Sequence, residues 1–232
     1  MAKYGSMSEE VNFSGTDKDK LLEIFLGGDE DASADEKQQS GEEADLERRE
    51  RERRGIEALT QILSEDPKAF EGSAFELLGS LIMGGVGAVD KAAELMMDKN
   101  PAGYVNAIFR VADKCKVPYI KFVLVRAMFR RYPGRYRPYI LSLGHELISG
   151  EPDENTLDVT LWLLYKFREE FVPDLVSFMN GGAEAPVRLK VLQESVRTLG
   201  RFARPVVTAA ADGDNEELRR AGLELLKIVD MV

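Results

Sequence analysis

The sequence predicts an all-α protein in which residues 46–232 form a stack of helical hairpins. Apolar residues recur at helical spacing, in segments of about 10–17 residues separated by Gly, Pro, Asn and Asp. No segment shows the convincing period-two alternation of a half-buried strand. A bulky aromatic residue followed closely by proline recurs, with the prolines 35 and 32 residues apart. Self-similarity at this spacing is typical of stacked helical hairpins.

The first 45 residues form an acidic arm that differs in composition from the rest of the chain. They hold 13 acidic and 4 basic side chains, whereas residues 46–232 hold 28 acidic and 27 basic ones. The net charge of -10 therefore belongs almost wholly to the arm, and the body is close to neutral. The stretch 27–43 is too polar to offset the entropy of ordering it, so we expect a mostly disordered arm.

One short amphipathic helix is predicted inside the arm, near residues 16–27. Thr16 supplies an N-cap, and acidic residues occupy the first turn. The candidate partner-binding residues of this helix are Leu21, Leu22 and Phe25. Because a helix of this length is marginal alone in water, it needs a surface to lie against. That surface is a partner's groove or a face of this protein.

The body opens with a predicted helix over 46–64 whose first half is a run of Glu and Arg. Opposite charges four residues apart, such as Glu50 and Arg54, favour a solvated helical face over a nucleic-acid site. The apolar stripe of this helix starts at Ile56. Further helices are predicted near 69–83, 86–98, 101–115, 118–131, 136–148, 155–169, 172–180, 186–201, 204–211 and 215–230.

The aromatic and proline residues recur at junctions between helices. The three instances are Tyr136 with Pro138, Phe171 with Pro173 and Phe202 with Pro205. Each proline is predicted to open a helix, because the first helical turn needs no N–H and suits the fixed φ of proline. The preceding helices are apolar over wide arcs, as expected when each hairpin lies between two others.

One helix carries a family resemblance. The stretch from Ala185 to Arg188, which leads into Val196, Leu199 and Gly200, resembles the P-x-V-R…A-L-G helix of the HEAT-like, armadillo-type repeat family. The resemblance is best over residues 117–232, and it implies an α-α superhelix. Members of the family mostly act as binding scaffolds, and a minority are enzymes. Because the repeat spacing is short for HEAT repeats, an irregular helical bundle stays open as the alternative.

We find no residue pattern typical of catalysis, metal binding or a cofactor. His145 is the only histidine, so one chain cannot assemble a His-based metal cluster or a Ser-His-Asp triad. Cys115 is the only cysteine, and no base lies within sequence reach of it. The glycines of 79–87 follow no strand, which argues against a phosphate-binding loop. We expect a protein that is not an enzyme and that binds no cofactor.

The sequence also predicts a cytoplasmic protein without a membrane partner. The longest nearly apolar run, 77–89, contains four glycines and is shorter than the roughly 20 residues needed to span a bilayer. The start of the chain lacks a charged and then apolar leader. A single cysteine cannot form an internal disulfide, which agrees with a reducing compartment.

The principal candidate surface is an arginine- and tyrosine-rich stretch across a predicted turn between helices. Its candidate residues are Arg126, Arg130, Arg131, Tyr132, Arg135, Tyr136 and Arg137. Arginine and tyrosine are enriched in binding hot spots, and arginine recognises carboxylates and phosphates. The alternative is a surface turn whose arginines stack on tyrosines or cap helix ends.

The leading functional hypothesis is a non-enzymatic scaffold that binds a protein partner through this stretch or the adjacent concave face, with the acidic arm modulating access. One alternative is a nucleic-acid-acting protein resembling the helical DNA glycosylases, in which Trp162 or Tyr136 would face the base. The near-neutral body argues against it, since nucleic-acid binders normally carry a basic excess. Another alternative is a structural subunit of a larger or homo-oligomeric assembly.

Overall fold

The computed structural model of the chain describes residues 41–84, 86–150 and 155–231. Every regular element within these ranges is helical, which confirms the predicted all-α class for the described part. The predicted arm helix, with Leu21, Leu22 and Phe25, lies outside the described residues. The chain groups into two compact units, Met1–Lys114 and Cys115–Val232. The single domain predicted over 46–232 stays a prediction.

The described part of the first unit contains four helices. They are α1 (Gly41–Glu65), α2 (Ala74–Gly84), α3 (Val86–Lys99) and α4 (Pro101–Lys114). Helix α3 packs against the other three. The core between them includes Leu63, Leu78 and Met96, which are fully buried. Burying a side chain of this size contributes about 1.5–3 kcal/mol, so these residues hold the unit together.

Two helix starts in the first unit differ from the predictions. Helix α1 begins at Gly41, so the last five residues of the predicted arm belong to a helix. The predicted pair of Glu50 and Arg54 is confirmed, with 3.2 Å between Oε1 and Nε. Helix α2 begins at Ala74 instead of 69, because residues 66–73 form consecutive turns. The Asp66 carboxylate accepts from the Lys68 backbone N–H at 3.0 Å and stabilises the first of these turns.

The second unit contains seven helices in its described part. They are α5 (Pro118–Arg131), α6 (Pro133–Ser149), α7 (Thr156–Phe167), α8 (Val172–Met179), α9 (Ala185–Leu199), α10 (Arg204–Asp212) and α11 (Glu216–Val229). Short 3-10 turns, Arg168–Phe171 and Gly200–Ala203, join α7 to α8 and α9 to α10. The predicted segments match these helices, with most boundaries displaced by only one or two residues.

Alternate helices of the second unit pack side by side. Helix α8 lies between α6 and α10, and helix α9 lies between α7 and α11. We call α6, α8 and α10 the even-helix layer, and α7, α9 and α11 the odd-helix layer. Helix α5 packs on α6 and also contacts α7, where the rings of Phe122 and Trp162 meet edge to face at 5.6 Å. Apolar side chains such as Leu163, Leu175 and Val206 are fully buried in this unit.

The junctions that lead into α8 and α10 repeat in structure. Arg168 and Gly200, which are 32 residues apart, both have positive φ, at 51° and 55°. A 3-10 turn begins at each of them, and a helix follows with Pro173 or Pro205 in its first two positions. The predicted role of these two prolines as helix openers is confirmed.

The third predicted junction is different, because Pro138 lies inside α6 and does not open it. The helix starts at Pro133, directly after Tyr132, whose φ of -128° and ψ of 62° interrupt the helical path. Proline is expected in the first turn, and Pro133 takes that place. Pro138 lacks the N–H that would bond to the Gly134 carbonyl, so α6 omits one backbone hydrogen bond. The prediction that Pro138 opens a helix is therefore wrong.

Candidate partner-binding surface

The arginine-rich stretch covers the end of α5 and the first two turns of α6. Tyr132 separates the two helices and is half-buried, and its backbone N–H donates to the Met128 carbonyl at 2.9 Å. The bend at Tyr132 brings the last turn of α5 beside the first turn of α6. The sequence prediction of an inter-helix turn within this stretch is confirmed.

Arg126 joins two helices and is largely enclosed. Its side chain is 12% exposed, and its guanidinium lies 5.9 Å from the centre of the Phe122 ring. Its Nη1 approaches Oδ2 of Asp158 on α7 at 3.5 Å, and the same oxygen accepts a hydrogen bond from the Tyr119 hydroxyl at 3.0 Å. Arg126 therefore links α5 to α7 and offers little surface to a partner.

Two further members of the stretch are also held by the fold. Tyr136 is 1% exposed, and burial raises the pKa of its hydroxyl. Arg137 forms an ion pair with Glu170 of the 3-10 turn, and its guanidinium lies 5.1 Å from the centre of the Phe167 ring. Tyr136 thus belongs to the core, and Arg137 fixes α6 to the turn that precedes α8.

The exposed arginines of the stretch are Arg130, Arg131, Arg135 and the paired Arg137, and a further exposed residue lies next to them that the sequence did not predict. That residue is Tyr139, which is 52% exposed and lies one helical turn after Arg135. The Arg135 guanidinium lies 5.3 Å from the centre of the ring of buried Tyr136, in a cation–π contact. The ring of Tyr139 lies 6.2 Å from the ring of Tyr136, and the spacing of three between them in the predicted helix 136–148 could have revealed this contact.

A groove between α8 and α10 is the second candidate surface. Its lining residues are Val176, Arg201, Phe202, Arg204, Pro205, Thr208, Ala209 and Asp212. Phe202 is 50% exposed, and the Arg201 guanidinium lies 5.3 Å from the centre of its ring. Arg204 pairs through Nε with Asp230 at 3.0 Å. The sequence predicts Phe202 as a junction residue and does not predict this groove.

The register of the repeat explains why Phe202 is exposed. The residue 32 positions after the buried Phe171 is Ala203, which is also buried, and not Phe202. Small Ala203 takes the inward position, so the neighbouring phenylalanine faces outward. A comparison of the two junctions at a fixed offset of 32 residues would have revealed an aromatic residue without a core position.

The odd-helix layer carries a dense polar network. The Tyr165 hydroxyl donates to Oε2 of Glu194 at 2.7 Å, and Arg197 Nε donates to the same oxygen at 2.7 Å. Lys190 Nζ lies 3.4 Å from the other carboxylate oxygen. The Tyr165 hydrogen bond and the Arg197 guanidinium hold the pKa of Glu194 below its ordinary value of 4.5. These side chains are engaged with one another across α7 and α9.

The even-helix layer is less charged at its exposed positions. Pro173, Ser177 and Thr208 are exposed there, and one pair, His145 Nδ1 with Asp174 Oδ1 at 2.9 Å, crosses from α6 to α8. The odd-helix layer exposes more charged side chains, together with Leu223 and Ile228 of α11.

The described residues place no group of three or more His, Cys, Asp or Glu side chains where it could hold a metal ion. Within the same ranges, no helix is both long and apolar enough to cross a bilayer. Cys115 is half-buried, and its Sγ donates to the Val117 carbonyl at 3.6 Å.

Comparisons with known protein families, with curated proteins and with solved structures return no match for this chain.

Proposed function

We propose that the second unit is a HEAT-like stack of helical hairpins that serves as a non-enzymatic protein-binding scaffold. The repeated junction at a 32-residue offset and the side-by-side packing of alternate helices support the stack. Each hairpin is also linked to the next by polar side chains, such as Tyr119 with Asp158 and Tyr165 with Glu194. In such an array each repeat contacts its neighbours, and one face of the array is available to a partner.

The binding surface is the exposed side of the even-helix layer together with the arginine-rich turn. The observation that carries this proposal is the α8–α10 groove, in which half-exposed Phe202 lies beside apolar Pro205 and Ala209. Arg201 borders the same groove, and Arg135 and Tyr139 occupy the exposed side of α6. Aromatic residues and arginine supply most of the energy in hot spots, so this surface suits an apolar, acidic segment of a partner.

The acidic arm has a modulating role in this proposal, because it carries the charge that the arginines of the surface attract. No reaction is assigned to the chain. The expected compartment is the cytoplasm, since one cysteine offers no internal disulfide.

The test is affinity capture from native cell extract with the triple variant Arg130→Glu, Arg131→Glu and Arg135→Glu. We expect the variant to lose partners that the wild type retains, because a binding face with reversed charge repels an acidic partner. The matched control reverses Arg219, Arg220 and Lys227 on α11 and should keep those partners. Thermal unfolding establishes that both variants are folded. Recovery of every partner by the first triple variant would remove the arginine-rich turn from the proposal.

A further inference from the structure

We propose that α11 pairs with α11 of a second copy of the chain, so that the protein forms a dimer with two-fold symmetry. The contact face is made of Arg219, Leu223, Leu226 and Asp230, which we call the α11 stripe. Their spacing of four, three and four residues places them on one face of a helix, and Asp230 keeps helical φ and ψ of -77° and -11°. The dimer does not rest on the proposed function, because self-association is a property of the purified chain.

A comparison of α11 with α9 shows that the stripe is an uncovered packing face. The N-caps of the two helices, Glu184 and Asn215, are 31 residues apart. Eight residues after its N-cap, α9 has Leu192, which is fully buried, whereas α11 has Leu223, which is 53% exposed. Helix α9 lies between α7 and α11, but within the described residues α11 has an odd-layer neighbour on one side only. Leu223 therefore occupies a core position of the repeat without a helix over it.

The next position of the stripe makes this face more apolar. Eleven residues after the N-cap, α9 has buried Ser195, and α11 has half-buried Leu226. Leu223 and Leu226 are neighbours on the helix surface, so they form the apolar centre of the stripe. Complete burial of a leucine side chain contributes about 1.5–3 kcal/mol, which favours an occupant that covers both leucines.

The charges at the two ends of the stripe select a second copy as that occupant. Arg219 and Asp230 lie about 17 Å apart along the helix. A two-fold axis pairs residue i of one copy with residue j of the other, and j with i. Antiparallel helices that place Leu223 opposite Leu226 of the second copy therefore place Arg219 opposite its Asp230, at both ends. The stripe is complementary to itself, whereas an acidic segment of another protein would meet Asp230.

Both charged groups of the stripe are accessible for this pairing. Arg219 is exposed and forms no ion pair with another described residue. The Asp230 side chain is 52% exposed, and its Oδ1 engages Arg204 Nε at 3.0 Å. Its second carboxylate oxygen is left for an arginine of the second copy.

Two basic residues beside the stripe, Arg220 and Lys227, approach their counterparts in this arrangement. Each has a glutamate about one helical turn before it, Glu216 or Glu224. Opposite charges at this spacing lie side by side on a helix, so the glutamates offset the repulsion between the basic side chains.

Sedimentation velocity of the purified full chain, over a series of concentrations, tests the dimer. We expect the wild type to change from monomer to dimer as its concentration rises. Leu223→Glu should weaken self-association about tenfold or more, because the dimer would then bury an unpaired charge. A wild type that stays monomeric at every concentration would overturn the proposal.

The matched control is Ile228→Glu, which makes the same chemical change at a 47% exposed residue of α11 outside the stripe. It should dimerise like the wild type, and thermal unfolding establishes that both variants are folded. Equal weakening by Leu223→Glu and Ile228→Glu would assign any dimer to another face and would overturn the proposal.

A pair of charge variants tests the antiparallel register. Arg219→Asp and Asp230→Arg should each weaken the dimer, because like charges then meet at both ends. An equimolar mixture of the two should dimerise, since each end of the mixed dimer again joins an arginine to an aspartate. A mixture that stays monomeric would overturn this pairing. The affinity-capture control, which changes Arg219, should be monomeric and still keep its partners, so the two experiments can fail independently.

Discussion

At the scale of single residues, the two junctions of the second unit meet the same backbone requirement with different side chains. Gly200 and Arg168 both adopt positive φ, with ψ of -128° and -122°. This region of φ and ψ is nearly restricted to glycine, so Arg168 is strained there by about 1–3 kcal/mol. The Arg168 guanidinium donates to the Thr198 carbonyl at 3.0 Å, in the last turn of α9. Carbonyls at a helix end need such outside donors, which explains an arginine at this position.

The first prediction is that Gly200→Ala destabilises the protein by about 1–3 kcal/mol, measured by chemical denaturation. A Cβ at Gly200 would find no atom within 4 Å, so the loss comes from the backbone alone. The matched pair is Arg168→Gly and Arg168→Ala, which both lose the bond to Thr198. Only the glycine variant relieves the strain, so it should be the more stable of the two. Equal stabilities would contradict the strain at Arg168.

The second prediction concerns the pH dependence of Glu194. Its pKa in the folded protein is below 4.5, chiefly because of the Tyr165 hydrogen bond and Arg197. The carboxylate therefore stabilises the fold above the pKa of the unfolded chain, and this contribution is lost as pH falls through the folded pKa. Glu194→Gln should lower the unfolding temperature at about pH 7, and the difference from the wild type should shrink as pH falls below the ordinary pKa of 4.5. Tyr165→Phe, which removes the same hydrogen bond, provides the control. A difference that stays constant with pH would contradict the assignment.

At the scale of elements, periodicity predicts the helices of the second unit well. Patterns of apolar residues and flanking Gly and Pro are local, and they determine where a helix begins and ends. The predicted start of α6 is wrong because two local signals compete there. Both Pro133 and Pro138 can open a helix, and the choice depends on the conformation of Tyr132.

The candidate surface was less predictable than the helices. Arginine and tyrosine content marks the stretch 126–137, but composition does not separate the buried Tyr136 from the exposed Arg135. Whether a side chain faces a neighbouring helix or solvent depends on contacts between residues about 30 positions apart, as with Arg137 and Glu170. The groove at Phe202 depends on two such helices at once, so a single segment does not reveal it.

The third prediction compares glycines at helix contacts. A Cβ at Gly222 of α11 would lie 2.6 Å from the backbone nitrogen of Ala211 on α10, and backbone atoms cannot move aside cheaply. A Cβ at Gly144 of α6 would instead meet the end of the Leu163 side chain, which can rotate. We expect Gly222→Ala to cost on the order of 3 kcal/mol and Gly144→Ala to cost less.

Gly79 provides the control for this comparison. It lies inside α2, is exposed, and would have no atom within 4 Å of an added Cβ. Alanine favours the helix there, so Gly79→Ala should stabilise the protein by up to about 1 kcal/mol. All three changes are measured as free energies of unfolding in denaturant. Equal effects at Gly222 and Gly79 would show that the close approach of α10 and α11 does not limit stability.

At the scale of the whole molecule, the separation of charge is the feature that bears on partners. The arm holds 13 acidic and 4 basic residues, and residues 46–232 are nearly neutral with 28 and 27. The arginines of the exposed surface therefore belong to a nearly neutral body, and the acidic excess of the chain lies in the arm. A local excess of arginine suits one acidic segment of a protein, whereas a long polyanion needs positive charge spread over many positions.

The fourth prediction follows from that charge distribution: the chain should show no measurable affinity for duplex DNA or RNA, even at low salt. The two aromatic residues considered for a base-contacting role are poorly placed for it. Tyr136 is buried, and half-buried Trp162 packs edge to face with Phe122 and lies 6.0 Å from Phe129. Fluorescence anisotropy with labelled duplexes, over a series of salt concentrations, measures the affinity directly.

Removal of residues 1–40 provides the stringent comparison, because it takes away most of the repulsion between the arm and phosphate. Binding that appears in this shortened chain and weakens linearly with the logarithm of salt concentration would favour the nucleic-acid alternative.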